Sequence, residues 1–101
     1  MKPDKVLAML GLANRAGRIE CGGFCTERAV KGGRAACVVM AGDSSENTKN
    51  AFRNMCAYYG VPLYFYSSKA ELGHALGRES RACAAVTDAG LAEQIRIRLE
   101  V

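Results

Sequence analysis

The sequence contains no tryptophan, one histidine and two prolines, and it has no apolar run long enough to span a membrane. His74 lies in a predicted helix, where we interpret it as a packing or surface residue rather than a base. The carboxylates fall mostly at helix caps and first turns, so no acid/base pair emerges. We therefore expect a protein that is not an enzyme, with no small-molecule substrate, no cofactor and no contact with a membrane.

The five cysteines are odd in number and follow no paired spacing. A disulfide framework is therefore not indicated, and we expect a reducing, cytoplasmic location. Cys21 and Cys25 could form half of a metal site, but there is no second Cys/His pair, so we expect no metal. Cys25, at a predicted helix start near Arg28, is a candidate reactive thiol that lacks a catalytic partner.

The N-terminus imitates a short secretory signal, because basic residues precede an apolar run at 6–13. Asp4 interrupts the basic region, and Arg15 follows the run without a small-residue cleavage site. We therefore predict that this segment is a helix of the folded domain.

Helical and strand patterns alternate along the chain, which predicts a single α/β domain over residues 1–101 with helices on both faces of a small sheet. Asp4, Ser44 or Ser45, Ser68 and Asp88 are the predicted helix caps, and Gly17, Gly60 and Gly77 the predicted stops. The predicted strands cover residues 18–21, 37–40, 61–66 and 82–86. Pro62 suggests an edge strand or a strand start, and the last strand should be central.

Five aromatic rings cluster at residues 58–66, namely Tyr58, Tyr59, Tyr64, Phe65 and Tyr66. Such rings could stack on bases. Alternation along a strand would bury some of them and expose others, and we expect core packing to be their main role.

The net charge is +4, and +3 of it falls within residues 14–34. Arginine outnumbers lysine nine to five, which favours planar contacts with phosphate or guanine. The cations of the segment are Arg15, Arg18, Arg28, Lys31 and Arg34. This balance is compatible with a polyanionic partner but does not require one.

The segment from Gly22 and Gly23 through Phe24 and Cys25 to Arg28 lies at a predicted strand-to-helix junction. Glycines allow close backbone approach, and the free amides of a helix start form an anion site. Lys31 and Arg34 follow nearby. The segment is predicted to cradle phosphate, with ordinary turn chemistry as the alternative. It is not a nucleotide-binding P-loop, since the Gly-Lys-Ser/Thr ending is absent.

A second candidate is the loop that contains Arg78, Glu79, Ser80 and Arg81, between the fourth helix and the last strand. Loops at one end of such a sheet converge, so this loop could face the glycine junction. The alternative is a solvated polar turn.

Five motifs together carry a family resemblance: GLANRAGRI at 11–19, GGFCTERAVKGGRA at 22–35, VVMAGDSSENTKN at 38–50, YYGVPLYFYSSKAELGHALGR at 58–78 and AAVTDAGLAEQI at 84–95. Their order and content resemble the L7Ae/L30e family of ribosomal proteins, and within it the bacterial YlxQ-type members. The resemblance implies a three-layer αβα sandwich with a small, mixed, four-stranded sheet. It also implies a ribonucleoprotein function in translation, through kink-turn RNA or related structured RNA such as ribosomal RNA, with ribosomal proteins as further partners.

The resemblance also points to a departure from the family pattern. In kink-turn binders an Asn, a Glu and, three residues later, a Lys read the sheared G·A pairs, and these places here hold Phe24, Cys25 and Arg28. Arg28 can replace the Lys, but Phe24 and Cys25 cannot supply the amide and carboxylate hydrogen bonds. Arg78 and Arg81 stand in a loop that is usually apolar in strong kink-turn binders. We expect selectivity to fall more than affinity, and the alternative is a protein-interaction module that has lost RNA recognition.

Overall fold

The computed structural model describes residues 4–100 and contains five helices and four strands. In chain order they are α1 (Lys5–Arg15), β1 (Ile19–Cys21), α2 (Gly23–Lys31), β2 (Cys37–Met40), α3 (Glu46–Tyr59), β3 (Leu63–Phe65), α4 (Lys69–Ala75), β4 (Cys83–Val86) and α5 (Ala89–Glu100). Each predicted helix and strand is present, with ends shifted by a few residues. The largest difference is β3, which is shorter than the predicted strand at 61–66.

The strands form one mixed sheet in the order β1-β4-β2-β3. β2 and β3 are parallel, and β4 is antiparallel to both β1 and β2. The central position predicted for β4 is confirmed. β3 lies at an edge, as Pro62 suggested, and its pairing starts opposite Val38 at Leu63.

Two cores cover the two faces of the sheet, which explains the unbroken apolar runs of β2 and β4. Because successive strand residues point to opposite faces, Cys37 and Val39 enter one core while Val38 and Met40 enter the other. The first core holds buried residues of α1, α4 and α5, and the second holds buried residues of α2 and α3. The molecule is therefore a three-layer αβα sandwich, as expected.

The aromatic cluster is the main correction to the expected core. Tyr58 is 84% exposed and Tyr59 44% exposed, because both lie at the end of α3, beyond its buried residues Phe52 and Cys56. Phe65 lies on the edge strand and is also exposed. Core packing as the main role of this cluster was therefore wrong for these three rings, whereas Tyr64 and Tyr66 are half-buried.

Within residues 4–100, no helix is both long and apolar enough to cross a membrane. In the same residues, no group of three or more His, Cys, Asp or Glu side chains is placed to hold a metal ion.

Candidate nucleic-acid interface

The start of α2 is built by Gly22, which joins β1 to the helix. Its φ of 91° and ψ of 160° belong to a backbone region that is open almost only to glycine. The Gly22 amide donates to the Cys83 carbonyl at 2.9 Å, and the Gly22 carbonyl accepts from the Thr26 amide at 3.0 Å. The junction is therefore fixed to β4 on one side and to the first turn of α2 on the other.

The first amides of α2 are left without a side-chain cap. The amides of Gly23, Phe24 and Cys25 precede the first intrahelical bond, and no side chain among residues 4–100 accepts a hydrogen bond from them. Free amides and the positive end of the helix dipole together attract an anion. The glycine junction therefore leaves free amides that could donate to an anion.

Thr26 holds this junction on its buried side. Its side chain is fully buried, and its hydroxyl donates to the Glu20 carbonyl of β1 at 3.3 Å. Burial raises the pKa of the nearby Cys83 thiol, and the Thr26 side chain lowers it by a smaller amount. Cys83 is therefore a neutral thiol in the core. The sequence pattern did not identify Thr26 as a residue that positions the start of α2.

Arg81 lies against the glycine junction. A Cβ atom added to Gly22 would be 3.9 Å from both Cδ and Nε of Arg81. The Arg81 guanidinium donates to the Ser80 carbonyl at 2.6 Å. The loop of residues 78–81 therefore faces the start of α2, as its position between α4 and β4 had predicted.

The loop of residues 78–81 is held on α4 by its backbone. The Arg78 amide donates to the Gly73 carbonyl at 2.7 Å, and the Arg81 amide donates to the Lys69 carbonyl at 3.0 Å. A Cβ on Gly73 would come within 2.6 Å of the Ser80 Cα atom, so only glycine permits this approach. Gly73 positions the loop, and a glycine inside a helical pattern was the signal that could have identified it.

The predicted cations of α2 and of the turn that follows it divide into two kinds. Lys31 pairs with Glu27 at 2.9 Å, and Arg34 pairs with Glu20 at 3.5 Å. Arg28 instead lies over the ring of Phe24, 5.5 Å from its centroid. Phe24 is 73% exposed, so the cation and the ring stand together on the surface.

Three arginines of α2 and of the loop at 78–81 carry uncompensated charge, as Arg15, Arg18 and Arg98 do elsewhere in the described residues. Among residues 4–100, neither Arg28, Arg78 nor Arg81 has a carboxylate oxygen within 4.0 Å. Exposed ion pairs such as those of Lys31 and Arg34 contribute only about 0–1 kcal/mol and neutralise their own field. The three arginines are the side chains best placed to attract an anion to this surface.

Comparisons of the sequence identify related proteins. A sequence model of the ribosomal protein L7Ae/L30e/S12e/Gadd45 family matches residues 4–95. The RNA-binding protein YlxQ of Bacillus subtilis (strain 168) is 38% identical over 87 residues, which cover 86% of this chain and 87% of that protein. The RNA-binding protein YlxQ of Enterococcus faecium is 32% identical over 97 residues, covering 96% and 93% of the two chains.

Comparisons of the fold give the same architecture. A protein of unknown function from Bacillus halodurans C superposes with a TM-score of 0.94 at 28% identity, over 98% of this chain and all of the other. The Giardia lamblia 15.5kD RNA binding protein superposes with a TM-score of 0.80 at 21% identity, over 95% of this chain and 82% of the other. At this identity the second likeness establishes the fold alone.

Proposed function

This chain belongs to the ribosomal protein L7Ae/L30e/S12e/Gadd45 family, and on that premise we propose that it is a non-enzymatic protein that binds structured RNA. The observation that carries the proposal is the uncapped start of α2 with the Arg81 side chain beside Gly22. The names of the YlxQ relatives, which are RNA-binding proteins, support it. The proposed surface consists of Gly22, Gly23, Phe24, Cys25, Arg28, Lys31, Arg34, Arg78, Ser80 and Arg81.

Phosphate contacts supply most of the proposed affinity. The free amides at the α2 start would donate to one phosphate, and Arg81 stands close enough to share that site. Arg28 and Arg78 would contact further phosphates along the backbone. These contacts position RNA without reading its sequence.

Base recognition is expected to be weak at this surface. Phe24 offers no hydrogen bond and Cys25 only a weak one, so the pair cannot read the edges of G·A pairs as an amide and a carboxylate would. Arg28 can donate to a guanine edge, and the Phe24 ring beneath it holds the guanidinium at the surface. We therefore propose that the chain binds kink-turn RNA, or related structured RNA in the translation machinery, with modest selectivity.

A titration with two RNAs tests the function. One is a kink-turn RNA and the other is the same RNA with disrupted G·A pairs, each measured at two salt concentrations. We expect binding to both that weakens steeply with salt, with a preference of less than about tenfold for the intact motif. If neither RNA binds, the proposal is overturned in favour of a protein-interaction module of the same fold.

Single substitutions test the proposed surface. Arg28→Ala and Arg81→Ala should each weaken RNA binding by about tenfold and lower the salt slope by about one phosphate contact. Arg98→Ala is the matched control, because it removes the same charge from α5, where Arg98 bonds to Gln94. If the control loses as much affinity as the two test variants, the effect is one of net charge and this surface is not the RNA site.

Association with the translation machinery is tested in cell extracts. We expect the protein to sediment with ribosomal particles and to be released by complete nuclease digestion, because RNA holds it there. Sedimentation that survives digestion would contradict an RNA-mediated association and would indicate a protein partner.

A further inference from the structure

Two tyrosines at the end of α3 are exposed without a structural role in the core. Tyr58 is 84% exposed and Tyr59 is 44% exposed. Their rings meet edge to face, with centroids 4.9 Å apart and planes at 74°. Large apolar rings in such an arrangement are typical of a surface that binds another molecule.

The sheet topology places these tyrosines beside the end of α2. β2 and β3 are parallel, and each is preceded by its own helix, so α2 and α3 both end at the end of the sheet where these two strands begin. Lys31 is the last residue of α2, and its pKa is raised mainly by Glu27, with a smaller contribution from Tyr59. The two helices also pack against each other in one core, so Lys31 and Tyr59 lie at neighbouring helix ends.

The exposed face of α2 connects the tyrosines to the glycine junction. Phe24, Arg28 and Lys31 follow one another at spacings of four and three residues, which places them on one face of a helix. All three are exposed, and the face extends about 10 Å along the helix axis. It begins at the uncapped α2 start and ends next to Tyr59.

We propose that this face and the two tyrosines, which together we call the aromatic stripe (Phe24, Arg28, Lys31, Tyr59 and Tyr58), bind a single-stranded RNA segment that flanks the structured element. The inference rests on the proposed function, because the flank continues from RNA held at the α2 start. Bases would stack on the tyrosine rings while the cations contact the phosphates between them. Stacking rings combined with cations are how proteins hold single strands without reading their sequence.

The charge pattern favours RNA over a protein on this surface. Cations interrupt the exposed rings along the stripe, and the stripe is continuous with the phosphate site at Gly22. Glu27 is the one carboxylate that pairs with a stripe cation among residues 4–100, and exposed pairs of this kind are readily replaced. A phosphate can therefore compete for Lys31 at little cost.

The test compares three RNAs: a structured RNA with a blunt end, the same RNA with a single-stranded tail of about six nucleotides, and the tail alone. For the natural sequence we expect the tail to tighten binding of the structured RNA by about tenfold or more, the effect of one well-stacked base. The Tyr58→Ala, Tyr59→Ala double variant should lose this gain and bind the blunt RNA as before. Tailed and blunt RNA that bind equally well, or a gain that survives in the double variant, would overturn the proposal.

Phe65→Ala is the matched control. Phe65 is also an exposed ring beneath cations, with Arg53 at 4.9 Å and Lys49 at 5.8 Å, but these cations precede the two tyrosines along α3 and lie away from the stripe. We expect this variant to retain the full gain from the tail. A loss equal to that of the tyrosine variant would show a general effect of exposed rings and would refute the stripe.

The three RNAs also separate the two proposals. If the blunt RNA does not bind while the tail binds in a way that depends on the tyrosines, the aromatic stripe is supported as a single-strand site and the proposed binding of structured RNA is refuted. Tyrosine fluorescence provides a direct readout, because the chain has no tryptophan and only four tyrosines. Stacking on Tyr58 and Tyr59 should quench part of the emission on addition of the tail, and unchanged emission on saturation with tailed RNA would contradict stacking.

Discussion

The start of α2 differs from the starts of the other four helices. Within residues 4–100, α1, α3, α4 and α5 each begin with a side-chain oxygen that accepts a hydrogen bond from a first-turn amide. The accepting residues are Asp4, Ser45, Ser68 and Asp88, at distances of 2.9, 3.2, 3.1 and 2.9 Å. α2 begins at Gly22, which has no side chain to offer.

The presence or absence of a side-chain cap distinguishes helix starts that contribute to stability from the one start that is available for binding. A side-chain cap contributes about 0.5–2 kcal/mol relative to alanine but only a few tenths of a kcal/mol relative to glycine, so a glycine cap costs little stability and leaves the amides free. Four helix starts are closed by the chain itself, and the fifth remains open to an outside acceptor. The open start is also the one that Arg81 faces. The contrast predicts that changes at Gly22 affect RNA binding, whereas changes at the caps affect stability alone.

Closing the open start should have the largest effect. Gly22→Asp would add a carboxylate beside Arg81 and the free amides, where it would neutralise the arginine and repel phosphate. We expect RNA binding to weaken by about a hundredfold, since charge-assisted hydrogen bonds contribute about 1.5–3 kcal/mol each. The measurement is an RNA titration on protein shown by circular dichroism to be folded.

Gly22→Ala is the control for backbone strain. Any side chain at this φ and ψ costs about 1–3 kcal/mol of unfolding free energy, so both variants should lose stability in urea. Only the aspartate should lose most of the RNA affinity. If Gly22→Ala binds as poorly as Gly22→Asp, the conformation of the junction matters and its free amides do not.

The contrast between helix starts was largely visible in the sequence. Caps and stops are local signals, and Asp4, Ser45, Ser68 and Asp88 were predicted from the residues that follow them. The choice between Ser44 and Ser45 needed the structure, in which Ser44 is buried and Ser45 accepts from the Thr48 amide. The buried strands β2 and β4 were also predictable, because a strand covered on both faces is apolar at every position.

The arrangement of charge and rings at the surface was not predictable in the same way. The pairing of Arg34 with Glu20 joins residues that meet only after β1 and α2 have packed together. Exposure of Tyr58 and Tyr59 depends on where α3 ends relative to its core-facing residues Phe52 and Cys56. These properties arise from tertiary packing, which periodicity does not describe.

Removing a cap should have an intermediate effect, and on stability alone. Asp4→Ala deletes the α1 cap and also the acceptor of the Tyr66 hydroxyl, which donates to the second Asp4 oxygen at 2.7 Å. We expect a loss of about 1–3 kcal/mol in the free energy of unfolding, measured in urea, with RNA affinity unchanged. Asp88→Ala, which removes only a cap, is the control and should lose about 1 kcal/mol. Equal losses in the two variants would mean that the Tyr66 bond contributes nothing.

The smallest expected effect is a pH dependence at the closed start of α1. The hydrogen bond to Asp4 and burial raise the pKa of Tyr66 from its ordinary value of 10 to about 12. Between these values the unfolded chain loses the phenolic proton while the folded chain keeps it. The free energy of unfolding should therefore fall as the pH rises from about 10 to about 12.

Tyr66→Phe isolates this contribution. The variant lacks the titrating hydroxyl, so its stability should fall less steeply over the same pH interval. Burial also raises the pKa of the Cys37, Cys56 and Cys83 thiols, but these groups are present in both proteins and cancel in the difference. Parallel curves of unfolding free energy against pH for the two proteins would show that the hydrogen bond to Asp4 does not raise the pKa of Tyr66. RNA binding at neutral pH should be equal in both, because this bond closes α1 and leaves the start of α2 untouched.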